Sequence, residues 1–150
     1  FAQTRVPAMF SDNMVLQQQT DAAIWGWATA GSNVQVNTSW NKAKYSAKAD
    51  ANGKWKLKVK TPAAGGPYSI TVSDGTPVTL KNVLIGEVWL CSGQSNMEMP
   101  MKGFRDQPIL GANDAVFNSA NEPKVSLIAL AKSPVGSPPL FGPKTVQNKE

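Results

Sequence analysis

The residues best placed to do chemistry lie in one run, Gly86-Glu87-Val88-Trp89-Leu90-Cys91-Ser92-Gly93-Gln94-Ser95-Asn96-Met97. Its apolar first half has the character of a buried strand, and it ends in a small, polar loop. In an open parallel sheet, ligands gather beyond the carboxyl ends of the strands, so a hydroxyl at this turn would face a crevice. Serine becomes a nucleophile when a base takes its proton and backbone amides stabilise the oxyanion formed on the attacked carbonyl. Ser95 is the candidate for that role, and Gln94 and Asn96 flank it, where they can position it or hydrogen-bond a substrate. Gly93 permits close backbone approach. On residue types alone an ordinary Ser-Asn turn is the favoured reading of the same run.

The remaining candidates are fewer than the composition suggests. The 150 residues contain no histidine, the usual base of a serine hydrolase near neutral pH. Lys102 lies seven residues beyond Ser95, a spacing that fits no serine-lysine motif. The single cysteine, Cys91, ends an apolar run and reads as a small buried hydrophobe; alone it supports neither a disulfide framework nor a thiolate zinc site. Neither a metal nor a cofactor is implied. Glu98 and Asp106 read as solvated loop carboxylates rather than an acid-base pair. Trp25, Trp27, Trp40 and Trp55 are either sandwich core or a platform for stacking sugars, and Trp25 and Trp27 share a strand face.

The elements that must position these groups follow from periodicity. Between Ala22 and Leu80 the chain shows five short alternating runs separated by turn signals, the pattern of an antiparallel β-sandwich. Ile24 to Trp27 opens the series, Val34 to Trp40 follows, and Asp50-Ala51-Asn52-Gly53 supplies a turn before Lys54 to Lys60. Pro62 to Pro67 closes that strand, and Tyr68-Ile70-Val72 and Val78-Leu80 complete the set. From Val83 the alternation gives way to near-continuous apolar runs, Leu84-Ile85 and Val88 to Cys91, as in strands buried on both faces. A helix around Ala112 to Ala120 and a second apolar run, Val125 to Leu130, suit a strand-helix-strand crossover. Ser133 to Glu150, with Pro138-Pro139 and no sustained period, reads as loop or a disordered end.

The net charge of +5 raises the question of nucleic acid. Lys54, Lys56, Lys58 and Lys60, however, alternate with Trp55, Leu57 and Val59, as on a strand with one solvated face, so nucleic acid is not expected as a partner. No run approaches the ~20 apolar residues of a membrane helix, so no membrane role is expected. Phe1-Ala2-Gln3-Thr4 resembles the end of a cleaved secretory signal, which predicts a secreted or periplasmic location.

Residues 86–100, ending Ser-Asn-Met-Glu-Met-Pro, closely resemble the nucleophile block of sialate O-acetylesterases, a family of SGNH hydrolases. Phe10-Ser11-Asp12-Asn13-Met14-Val15-Leu16-Gln17 and Ile24-Trp25-Gly26-Trp27-Ala28 resemble the opening of its bacterial members, and Asn52-Gly53-Lys54-Trp55 with Ala64-Gly65-Gly66-Pro67-Tyr68 is a weaker likeness. The resemblance implies an N-terminal sandwich and a flavodoxin-like SGNH hydrolase domain that removes O-acetyl groups from sugars. It makes Ser95 the nucleophile and its own amide an oxyanion donor. A glycine and an asparagine from later blocks, and a base from a late Asp-x-x-His motif, complete the family's site; none of these blocks is present in the 150 residues.

The expectation is therefore a mainly β chain with a partial α/β unit. Residues 1–82 form an immunoglobulin-like antiparallel β-sandwich, and residues 83–150 begin a truncated SGNH domain. Its substrate would be an O-acetylated carbohydrate, and a further partner would be the missing C-terminal hydrolase portion as a separate chain. Alone, the chain is expected to be inactive. The competing readings are a carbohydrate-binding module and a structural spacer without catalysis.

Overall fold

In the computed structural model, which describes residues 4–119, 125–126, 128–129 and 144–145, the alternating runs become strands with one buried side. Short β1 (Val15–Gln17) precedes β2 (Asp21–Trp27), β3 (Asn33–Thr38), β4 (Lys44–Lys48), β5 (Lys54–Lys60), β6 (Gly65–Ser73) and β7 (Pro77–Gly86). β2 and β5 pair antiparallel, Ile24 opposite Leu57 and Gly26 opposite Trp55. The other strands form a five-stranded sheet in the order β1-β7-β6-β3-β4.

Both sheets contribute to one core. Ile24, Trp55 and Val59 from the pair cluster with Val34, Val36, Ile70, Val72, Leu80 and Val83 from the larger sheet. Removing such side chains from water stabilises the fold by about 1.5–3 kcal/mol each. Trp25, Trp40 and Tyr68 pack partly buried against the cluster, so of the tryptophans considered, Trp55 alone is fully core.

One turn and one close strand contact fix the register of the lysine strand. Asp50 Oδ1 accepts hydrogen bonds from the amides of Asn52 and Lys54, both at 2.8 Å, and Ala28 N donates to Gly53 O at 2.8 Å. Gly53 has φ 75°, and a Cβ there would run into the Ala28 carbonyl oxygen, so glycine is required twice over. Gly26, opposite Trp55, serves the same end from the paired strand. Arg5 and Trp27 exchange backbone hydrogen bonds of 2.8 Å in both directions, and a Cβ on Gly26 would collide with the Arg5 carbonyl oxygen.

Several expectations are corrected. β1 and β4 join the five predicted runs; β4 lacks a strong signal because its only apolar positions, Tyr45 and Ala47, are just partly buried. β1 lies parallel to β7, Val15 opposite Leu84, so the larger sheet is not wholly antiparallel. The segment expected to close β5 instead opens β6 at Gly65, with a register shift between Gly65 and Tyr68 around Pro67, which lacks an amide hydrogen for the ladder.

Val83 to Ile85, expected in a new strand, are the end of β7. They lie between strands on both edges, Ile85 opposite both Leu16 and Gly65, with Val83 and Ile85 buried and Leu84 partly buried. Val88 to Cys91 form no strand, and Trp89 and Leu90 are 83% and 86% exposed. No neighbouring strand among the described residues offers them a ladder.

The chain falls into two compact units, Phe1–Val88 with Leu127–Glu150, and Trp89–Ser126. The second holds the four-residue α1 (Ser95–Glu98) and α2 (Ala112–Ser119), the helix expected from the sequence. Gly111, at φ 75°, precedes α2, and its carbonyl accepts from Ala115 N at 3.0 Å. Within the second predicted apolar run, β8 (Ile128–Ala129) pairs antiparallel with β9 (Lys144–Thr145). The parallel crossover is thus not formed among the described residues. Apart from Lys144–Thr145, the loop predicted over Ser133 to Glu150 lies outside them.

Candidate functional site

Ser95 is the first residue of α1 and is exposed. At the start of a helix the first amides have no intrahelical acceptor, which leaves those of Ser95 and Asn96 pointing away from the helix ladder. The next amide is taken, Met97 N donating to Gln94 O at 2.9 Å. Gln94 precedes the helix with φ −107° and ψ −141°, and its exposed side chain makes no capping bond, so it is available to another group. Asn96 shares the turn, but its side chain lies outside the described residues. The structure therefore brings the backbone of all three predicted site residues to one short turn.

It brings no base to them. Among the described residues no hydrogen bond reaches the Ser95 hydroxyl. Lys102 is exposed and lines an open hollow of about 640 Å³ with Pro100, Met101, Asn113, Val116 and Phe117, a set that includes neither Ser95 nor Gln94. Cys91, expected to be buried, is exposed, because the segment that carries it joins no sheet. No group of three or more histidine, cysteine, aspartate or glutamate side chains among the described residues could hold a metal.

One feature of the site's approach is invisible in residue types. Where β7 ends, Glu87 accepts hydrogen bonds from Gln17 Nε2 at 3.0 Å and Gln18 Nε2 at 2.6 Å. The same glutamines accept in turn, Gln17 Oε1 from Val88 N and Gln18 Oε1 from Ala64 N, both at 2.8 Å. The carboxylate thus ties β1 to the stretch that leads to Ser95. Gln17, and after it Gln18, hold the Glu87 carboxyl below its ordinary value of 4.5, because both donate to the charged form. A depressed folded-state pKa contributes stability above the unfolded pKa and loses it as pH falls through the folded one. The Glu87 carboxyl is accordingly expected to titrate below 4.5 in an NMR titration, and Gln17→Ala to move the midpoint back up. An unchanged midpoint in the variant would show that the glutamines do not hold the charge.

No family model matches the chain. Curated proteins do. It is 39% identical over 104 residues to a sialate O-acetylesterase of Rattus norvegicus, an alignment covering 61% of this chain and 19% of the relative. Sialate O-acetylesterases of Mus musculus and Homo sapiens are 32% and 30% identical, over 81% and 83% of this chain and 24% and 26% of theirs. Among solved structures, a carbohydrate acetylesterase from Xanthomonas citri superposes with a TM-score of 0.75 at 31% identity, over 93% of this chain and 31% of its own.

The chain belongs to a sialate O-acetylesterase-like family. It spans about a fifth to a quarter of the length of the curated relatives it matches. The family's names are those of enzymes that deacetylate sugars, so the expected resemblance holds at the level of a sugar deacetylase family.

Proposed function

We propose that this chain is the nucleophile-bearing part of a serine esterase that removes O-acetyl groups from sugars, sialic acid acetylated at its 9-hydroxyl being one candidate. The observation that carries the reading is the nucleophile block of residues 86–100, in which Ser95 stands exposed at the opening of α1, where the first amides have no intrahelical acceptor. In this reading the two packed sheets are the family's immunoglobulin-like sandwich, and Trp89–Ser126 belongs to the SGNH hydrolase domain.

Chemically, Ser95 Oγ attacks the acetyl carbonyl as a base takes its proton. The sugar alcohol leaves with a proton returned by that base, and water then hydrolyses the acetyl-serine. The Ser95 amide stabilises the oxyanion in both steps. Gln94 and Asn96 hold the sugar or orient the hydroxyl. With no histidine among its 150 residues, the chain takes its base from sequence outside them, and the location proposed for the whole protein is secreted or periplasmic.

The test is acetate release from an O-acetylated sugar and from p-nitrophenyl acetate. Whole protein carrying this chain is expected to turn over both. The isolated 150-residue chain is expected to show no serine-dependent turnover, since loss of a triad base costs several orders of magnitude. Turnover by the isolated chain that vanished in its Ser95→Ala variant would contradict the reading of an incomplete site.

A further inference from the structure

The lysine row of β5 has a neighbour that its alternation alone does not disclose. Residues paired across an antiparallel ladder point to the same face. Lys56 lies opposite Trp25, Lys54 opposite Trp27, Lys58 opposite Ala23 and Lys60 opposite Asp21. The outer face therefore carries four lysines, a single carboxylate and two tryptophans, of which Trp25 is partly buried against the core cluster and Trp27 is partly exposed. All four lysines are exposed, and among the described residues none is held in an ion pair. From Lys54 to Lys60 the row extends roughly 20 Å at about 3.4 Å per residue. The tryptophans are fixed rather than mobile. Trp25 meets Phe10 edge to face with centroids 5.8 Å apart and meets Trp27 likewise at 5.9 Å. Trp27 ends this chain of rings, partly exposed.

We infer that this outer face of β2 and β5 binds an anionic glycan, the lysine row meeting carboxylates along the sugar chain and Trp27 packing against the apolar face of a sugar ring. Uncompensated charge of one sign along a strand selects a ligand of opposite sign, and a fixed aromatic beside it suits a ring that is polar at its rim and apolar on its face. The ligand class rests on the carbohydrate reading above, but the face does not depend on Ser95. It would hold the polymer on which a deacetylase works through residues of the first compact unit alone.

Binding of the 150-residue chain to polysialic acid free of acetyl groups, measured by calorimetry, tests this without any hydrolysis. Binding is expected, weakening with salt and at least about tenfold weaker in a Lys56→Glu/Lys58→Glu variant, with Trp27→Ala also weaker and the melting temperature of the lysine variant unchanged. Neutral dextran is expected not to bind. Absence of binding, binding unaffected by the lysine changes, or equal affinity for single-stranded DNA would each overturn the inference, the last by showing an unselective cationic face. Because acetate release is assayed separately, failure here leaves the esterase reading standing, and failure of that reading leaves this result interpretable.

Discussion

Replacing Ser95 with alanine in the whole protein is expected to lower kcat/KM for O-acetyl hydrolysis by about 10⁴–10⁶-fold, the range seen when a hydrolase loses its serine nucleophile. The loss should fall on kcat, because the hydroxyl's interactions strengthen as the bond to the carbonyl forms and a ground-state substrate does not need them. The fold has no reason to change. Ser95 is exposed, and no hydrogen bond from a described residue depends on its hydroxyl. An alanine variant that kept its far-UV spectrum and melting temperature while losing turnover would separate chemistry from stability. One that retained more than about a tenth of the rate would remove Ser95 from the mechanism.

The second large effect concerns stability. Ile70 has 0% exposure in the middle of β6, opposite Thr38 on β3 and Leu80 on β7. Truncation to alanine deletes buried methyl and methylene groups where the flanking strands limit collapse, so Ile70→Ala is expected to cost about 2–5 kcal/mol in denaturant unfolding. Trp55, 3% exposed in the same cluster, provides a fluorescence signal for the transition. Lys58→Ala, on the outer face of β5, should change stability by no more than about 0.5 kcal/mol. A loss below about 1 kcal/mol at Ile70 would mean that the two sheets do not share the core described for them.

The parts of this fold legible in the sequence were those determined locally. Asp50 to Gly53 is a turn because Asp50 caps its own successors and Gly53 alone tolerates its φ, both within five residues. Lys54 to Lys60 is a strand because every second side chain is charged. The Glu87 clamp was illegible for the opposite reason, since Gln17 and Gln18 lie 70 and 69 residues away and nothing in their types marks them. Apolarity also proved an incomplete signal. Val83 to Ile85 and Val88 to Cys91 have similar composition, yet the first has strands on both sides and the second has none among the described residues. Hydrophobic runs state what a segment can bury, not whether a partner stands beside it. Ser95 itself was singled out by resemblance; the physics of a serine in a loop did not separate it from an ordinary turn, and its exposed position in α1 is compatible with either.

The most direct test is therefore chemical. Whole protein treated with a serine-reactive fluorophosphonate, digested and sequenced by mass spectrometry, should carry the adduct on Ser95, with labelling and esterase activity lost in parallel. An adduct on a different serine, or an active protein that takes up no label at Ser95, would contradict the account.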